Sequence, residues 1–287
     1  MSTRLGVLGW PVAHSRSPAM QNAALAELGL DGWHYQRLPV PPELFEQTVT
    51  ALPAAGFLGA NVTIPHKQAA LALATTASAT AREIGAANTL TFTPDGAIAA
   101  ENTDAPGLLE ALGVPPRGMG AQVLGAGGSA RAAVWALLQA GAAEVWVWNR
   151  TRERALELAR ELGATAVERP RAADLLVNCT AVGLPRHVSP PTEGSDAPLE
   201  PSATGHPTLN QVELTFDQVG RYPYVVDLAY SPGGTELLRA ARAQGAQTVD
   251  GLDVLVAQGA LSLELWTGRS APRELMQRAA RGGSQPA

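Results

Sequence analysis

Short apolar runs alternate with stretches of helical period along almost the whole chain, and this alternation restricts the fold more than any other feature. LGVLGW (5–10), WHYQRLPV, FLGANVT, ANTLTF and AIAAENT read as strands in the first hundred residues. Between them lie helical patterns. Ser17-Pro18 opens one, with serine as N-cap and proline at the first helical position, and AMQNAALAEL carries it to Gly29. PELFEQTVTAL is a second, and Pro65 starts a third through HKQAALALA. A turn at Asp95-Gly96 joins two of the strands, and Asp104 stands where the helix PGLLEALG begins. The second half repeats the theme. AQVLGAG (121–127), EVWVWN, ATAV, DLLVNCT and YVVDLAY are strands, while SARAAVWALLQAG, RERALELARELG and TELLRAARAQG are helices. VLVAQGALSLELWTG and PRELMQRAARG close the chain as two further helices. Strands alternating with helices predict an α/β fold of parallel sheets covered on both faces.

One stretch breaks the rhythm. Residues 184–223 hold seven of the 22 prolines and much Ser, Thr and Gly, which predicts a long surface insertion. The rest of the chain has ample material for a core, with 46% hydrophobic and only 16% charged residues. The net charge of -5, with no basic run interleaved with aromatics, argues against a nucleic-acid partner. The start, MSTRLGVLGWPV, has no signal-peptide apolar region, and no apolar run reaches spanning length, so a cytoplasmic protein without membrane attachment is expected. The single cysteine, Cys179, excludes an internal disulfide. It has no histidine or cation beside it in sequence and reads as a strand-end core residue. The five histidines show no metal-ligand spacing, so no metal is expected; His14 and His66 read as structural.

VLGAGGSA (123–130) places Gly125, Gly127 and Ala130 in a G-x-G-x-x-A arrangement between a strand and a helix. Each small residue has a task there: a tight turn, close approach of backbone to a diphosphate, and close helix–strand packing. The helix N-terminus then offers free N–H groups to the phosphates. The following strand ends in Asn149-Arg150-Thr151, then Arg152 and Arg154. No carboxylate stands where an NAD site needs one for the ribose 2′-hydroxyl. Guanidinium groups suit a 2′-phosphate instead, and cations at a helix N-terminus need an anion to justify them. NADP is therefore predicted over NAD.

Lys67, in NVTIPHKQ, is the only lysine among 21 basic residues; all the others are arginine. Arginine holds its proton in proteins, whereas lysine can exchange it. A lone lysine thus fits proton transfer, although a surface residue left over from an arginine-rich composition fits the count alone.

SRSPAMQNAAL, NVTIPHKQ, GAANTL, NTDAPGLLEAL, GAGGSARA, NRT and GLDVLVAQGALSLELWTG occur in this order. As a set they closely resemble the shikimate dehydrogenase family, over essentially the whole chain outside the proline-rich segment. The resemblance implies a substrate domain (1–104, completed by helices in 252–287) and a Rossmann-type NADP domain (105–251), separated by a cleft. It implies NADP-dependent reduction of 3-dehydroshikimate to shikimate, with Lys67 and Asp104 as the catalytic pair. Ser15 and Ser17 would hold the substrate carboxylate. Thr63, Asn88, Asp104 and Gln258 would hold its hydroxyls and carbonyl, Asn61 would fix the loop, and Tyr230 would close over it. Arg16, between the two serines, is expected to point away from them. The cofactor would meet Gly125, Ala126, Gly127, Gly128, Ser129, Asn149, Arg150, Thr151 and Arg154, with Thr180 of the 178–183 loop, Leu228 and Gly251 near the nicotinamide. The protein is expected to be a monomer or homodimer. After Tyr230 the chain reads Ser231-Pro232 where the family often has Asn-Pro, which bears on the lid. Two other readings share these motifs: a relative of broader specificity acting on quinate, and a non-catalytic NADP(H)-binding sensor. The sensor has no need of Lys67 with Asp104.

Overall fold

The computed structural model describes residues 2–93, 95–183 and 207–282. Two six-stranded sheets divide the chain. The first is built from β1 (Thr3–Gly9), β2 (Trp33–Pro39), β3 (Phe57–Val62), β4 (Thr76–Ala77), β5 (Thr89–Phe92) and β6 (Ile98–Glu101), in the order β2-β1-β3-β5-β6-β4. Its connections carry α1 (Ser17–Glu27), α2 (Phe45–Ala51), α3 (Lys67–Ala72) and α4 (Ala79–Ile84). The alternation pattern predicts parallel strands, with the Asp95-Gly96 turn setting one pair apart, and both hold. β5 runs antiparallel to both β3 and β6. The reason is local: the link from β5 to β6 is a short turn with Gly96 at φ 84°, too short for the crossover that a parallel pair requires. One helix boundary also shifts. Ser17 is the first residue of α1, and Arg16 occupies the cap.

The second sheet contains β7 (Gly120–Leu124), β8 (Glu144–Trp148), β9 (Thr165–Ala166), β10 (Leu175–Asn178), β11 (Tyr224–Asp227) and β12 (Gln247–Asp250). All are parallel, in the order β12-β11-β10-β7-β8-β9. This is the doubly wound dinucleotide-binding order, and the winding reverses between β7 and β10. α5 (Asp104–Leu112) leads into this sheet, and α6 (Gly128–Gln139), α7 (Arg152–Leu162) and α10 (Glu236–Ala243) cover it. Val123, Val147 and Val177, all 0% exposed, pack against Ala130 and Val134 of α6.

The proline-rich stretch departs from its expected character. Residues 184–206 lie outside the described residues. Beyond them, α8 (Pro207–Asn210) and α9 (Phe216–Val219) are not surface insertion. Leu209, Val212, Leu214, Val219 and Tyr222 are buried in one cluster with Leu124, Leu176 and Leu237. Their spacing follows successive turns, with a capping box at Thr215 and Gln218, so no helical period marks them in the sequence.

α11 (Gly251–Thr267) and α12 (Arg273–Ala280) leave the second sheet and pack on the first. Leu263, Trp266, Met276 and Ala280 join Leu5, Met20 and Tyr35 in one core. Two glycines permit the approach. A Cβ on Gly107 of α5 would stand 2.7 Å from Gln258, and one on Gly59 of β3 would meet the Trp266 ring at 2.2 Å. The return of the chain brings Gln258 to the carboxyl ends of both sheets.

Candidate active site

At the switch point the loops after β7 and β10 diverge. Gly125 has φ 107°, and a Cβ there would sit 3.2 Å from the Cys179 backbone, so both conformation and contact call for glycine. Gly127 caps α6 with extended backbone and open space beside it. No side chain caps α6, and no acid stands in its first turn. The N–H groups of Gly128 and Ser129 are thus left for an anion, next to a concave backbone: a fit for a diphosphate.

At the end of β8, Asn149 Nδ2 donates to the Thr151 carbonyl at 2.8 Å and fixes the turn. Thr151 occupies the cap of α7. Arg152 pairs with Glu168 at 3.1 Å. Arg150 and Arg154 are exposed and make no ion pair among the described residues. Two unneutralised guanidiniums at a helix N-terminus suit a phosphate monoester.

Lys67 opens α3 and Asp104 opens α5, and the two side chains meet. Lys67 Nζ donates to Asp104 Oδ2 at 2.5 Å and to Ser129 Oγ at 2.8 Å. Ser129 belongs to the glycine loop, so the lysine bridges the elements of the two sheets. The approach is close: a Cβ on Gly128 would stand 2.6 Å from Lys67 Cβ. Lys67 is 9% and Asp104 8% exposed, which leaves little water to compete. Asn88 Nδ2 donates to Asp104 Oδ1 at 2.9 Å and lies 3.0 Å from Gln258 Oε1. Its Oδ1 accepts from the Thr103 N–H at 2.7 Å. The ammonium is therefore oriented by a carboxylate that is itself oriented by an amide.

Asn61 is fully engaged, donating to Ser262 Oγ and the Asn88 carbonyl and accepting from Tyr35 Oη. Such saturation suits a residue that fixes the loop. Ser15 and Ser17 are buried before and at the start of α1, while Arg16 between them is exposed; its backbone is helical, not extended, so the first turn of α1 turns it outward. The Arg16 N–H donates to Tyr230 Oη at 3.4 Å, and burial raises the Tyr230 phenol above its ordinary value.

Ser15, Ser17, Asn61, Thr63, Lys67, Asn88, Asp104, Tyr230 and Gln258 all line one cleft. Ser129, Thr180, Leu228 and Gly251 line its other wall. Gly125, Ala126, Gly127, Gly128, Asn149, Arg150, Thr151 and Arg154 do not line it; they follow the carboxyl edge of β7 and β8. Sequence reasoning missed other wall residues, among them Val12, His14, Leu255 and Cys179. Val12 and Leu255 are apolar and carry no chemical signature, whereas His14 and Cys179 read in the sequence as structural and as core. His14 is half-buried on the wall, whereas His66 stacks on Phe45 and bonds the Val40 carbonyl through Nε2, a structural position. Burial pushes the Cys179 thiol far up and keeps it neutral, which makes it a wall and not a nucleophile. Gly251 is required by contact, because a Cβ there would lie 2.6 Å from the Leu228 carbonyl oxygen. Among the described residues no group of His, Cys, Asp and Glu has the arrangement of a metal site, and no helix is long and apolar enough to cross a membrane.

A doubly wound sheet with a glycine turn at its switch point, set across a cleft from a lysine–aspartate pair, defines a two-domain dinucleotide-dependent oxidoreductase. Family models give it a narrower place. Residues 7–90 match the shikimate dehydrogenase substrate binding domain, 117–182 the shikimate/quinate 5-dehydrogenase model, and 251–281 the shikimate 5'-dehydrogenase C-terminal domain. A shikimate dehydrogenase (NADP(+)) from Anaeromyxobacter sp. (strain K) is 46% identical, the match covering 96% of this chain and 94% of that protein. The shikimate 5-dehydrogenase of Thermus thermophilus, solved in complex with NADP(H) and shikimate, superposes with a TM-score of 0.80 at 43% identity, over 98% of this chain and 99% of that one. A 5-ketofructose reductase of Gluconobacter sp. strain CHM43 shares the fold at a TM-score of 0.74 and 30% identity, over 98% of each chain. The chain belongs to the shikimate dehydrogenase family.

Proposed function

We propose that this protein catalyses the reversible, NADP-dependent reduction of 3-dehydroshikimate to shikimate, a step in the chorismate route to aromatic amino acids. The observation that carries this is the Lys67–Asp104 pair, held at 2.5 Å in a polar cleft and touching the cofactor loop through Ser129. Residues 1–104 with 252–287 form the substrate domain, and 105–251 the cofactor domain. Gly125 to Ser129 hold the diphosphate, Arg150 and Arg154 the 2′-phosphate, with Asn149 and Thr151 shaping that turn. Thr180, Leu228 and Gly251 stand beside the nicotinamide.

NADPH, when bound, supplies the hydride to the ketone carbon. As the carbonyl becomes an alcohol, negative charge grows on its oxygen. The Lys67 ammonium has a third N–H beyond those given to Asp104 and Ser129, and it donates this one to the oxygen and delivers the proton. In the reverse direction the neutral amine accepts the hydroxyl proton. Asp104 holds the amine in line. Ser15 and Ser17 hold the carboxylate; Thr63, Asn88, Asp104 and Gln258 hold the hydroxyls, and Tyr230 closes the cleft. A missing hydroxyl leaves buried partners unpaired, at roughly 1 to 3 kcal/mol each. The enzyme works in the cytoplasm, in keeping with a chain of one cysteine, as a monomer or homodimer.

The test is the rate of nicotinamide reduction with shikimate or quinate, each with NADP or NAD. The matched central family model covers quinate as well as shikimate, so both belong in the assay. Fast turnover with shikimate and NADP alone is expected. Comparable rates with quinate or NAD would refute the specificity, and NADPH binding without any turnover would point to a sensor.

A further inference from the structure

A second depression adjoins the cleft and shares His14 and Tyr230 with it. Arg16, Arg37, Arg242 and Arg281 line it, against one carboxylate, Asp250. Arg281 is spoken for, 3.7 Å from Asp250 and 2.6 Å from Asp253. Arg16, Arg37 and Arg242 make no ion pair among the described residues. The excess of positive charge is local, because the chain as a whole carries -5.

Arg37 holds the serine segment directly. Its Nη2 donates to the Ser15 carbonyl at 2.7 Å and its Nε to the same oxygen at 3.2 Å. Ser15 lines the cleft, so the guanidinium sits one residue behind the cleft wall. Two of its donors hold the loop, and the exposed guanidinium has no carboxylate partner among the described residues. Arg16 adds a second charge at the cap of α1, where no acid occupies the first turn. A cation at a helix N-terminus is unfavourable unless an anion stands nearby. Two hydroxyls can donate to a carboxylate but supply no positive charge to balance it.

We propose that Arg37, reinforced by Arg16, is the charge that selects an anionic, carboxylate-bearing substrate over its neutral counterpart, acting from behind Ser15 and drawing the anion in through this vestibule. Arg37 does not bond the carboxylate; it is a specificity-determining residue that acts through space and through the Ser15 loop. The inference rests on the reading that Ser15 and Ser17 receive the carboxylate.

The experiment compares kcat/KM for shikimate and for shikimate carboxamide, in the wild type, Arg37→Gln and Arg37→Lys, at low and high salt. For one unit charge across several ångströms of partly hydrated protein, the wild type should favour the acid, and Arg37→Gln should erase roughly fivefold of that preference. In Arg37→Gln the carboxamide rate should fall less than the acid rate, Arg37→Lys should retain the preference, and salt should slow the acid more than the amide. An acid-to-amide ratio unchanged in Arg37→Gln overturns the proposal while leaving the function intact. Equal loss for both substrates also overturns it, because Arg37 would then only brace the loop. A wild type inert toward shikimate overturns the functional reading and this proposal with it.

Discussion

The proposed chemistry depends on one amine and what touches it. Arginine at position 67 keeps the charge and loses the transferable proton. Lys67→Arg should therefore lower kcat by about 100-fold or more, the usual reach of positioned acid–base catalysis, with NADP affinity nearly unchanged in a fluorescence titration. Turnover within a few-fold of wild type would remove Lys67 from proton transfer. Ser129 makes a finer point. Its hydroxyl accepts one of the three lysine N–H groups at 2.8 Å, from the far side of the cleft. Ser129→Ala frees that N–H and lets the amine wander, so kcat should fall by roughly threefold to tenfold while Lys67→Arg/Ser129→Ala is no worse than Lys67→Arg alone. An additive double variant would mean that Ser129 acts on something other than the lysine. Lys67 and Asp104 were legible in the sequence because the motifs are contiguous. The Ser129 bond was not, since the hydroxyl and the amine are brought together only by packing across 62 positions.

The elements that carry these residues meet at glycines and at one buried carboxylate. α5 and α11 cross at Gly107, where an added Cβ would meet Gln258 backbone and side chain at 2.7 Å. Gly107→Ala should cost about 1 to 3 kcal/mol by chemical denaturation, because neither helix backbone can yield without moving Asp104 or Gln258. Asp227, at the end of β11, is wholly buried and has no cation partner among the described residues. It accepts from Asn178 Nδ2 at 2.7 Å, from the Ala229 N–H at 3.1 Å and from Thr235 Oγ1 at 2.6 Å. It thereby ties the 178–183 loop to the segment leading to Tyr230. Burial pushes its carboxyl up from 3.8 to about 6. The sign follows from linkage: the folded state binds the proton more tightly, so this contribution is fully present below pH 3.8 and is lost as pH rises through about 6. The stability difference between wild type and Asp227→Asn should accordingly shift against the wild type by about 2 kcal/mol from pH 4 to pH 7. A difference independent of pH would mean that Asp227 stays ionised throughout. At this scale the strands with long apolar runs and the capped helices were plain in the sequence. β4, β12 and the buried turns of 207–223 were hidden, because two to four residues per element give no period to read.

For the whole molecule, the proposed reaction needs two independently built sheets to present Lys67 and Ser129 to each other within hydrogen-bond reach. A contact outside the cleft also joins the two halves. Arg131 of α6 is 8% exposed; its Nε donates to the Ile84 carbonyl at 2.6 Å, and its Nη2 meets Glu161 of α7 at 2.6 Å. Ile84 ends α4, and Gly85 follows at φ 72°, with space for a Cβ taken by the guanidinium at 2.4 Å. The negative end of α4 thus receives a cation from the other sheet's helix. One turn further along α6, Trp135 Nε1 donates to Glu83 Oε2 at 3.0 Å. Arg131→Met keeps most of the side-chain volume and removes the charge and donors. Because Glu161 is partly exposed, the loss should be about 1 to 3 kcal/mol and not the full cost of a stranded buried charge. The larger effect should be catalytic. Freed from its pivot, α6 can shift by a fraction of an ångström against α3, and kcat/KM should drop by about tenfold while NADP affinity, set within the second sheet, holds. Reduced stability with unchanged kcat/KM would make Arg131 a brace only, and the spacing would then have to come from α5 and α11, which link the two halves and pack on each other.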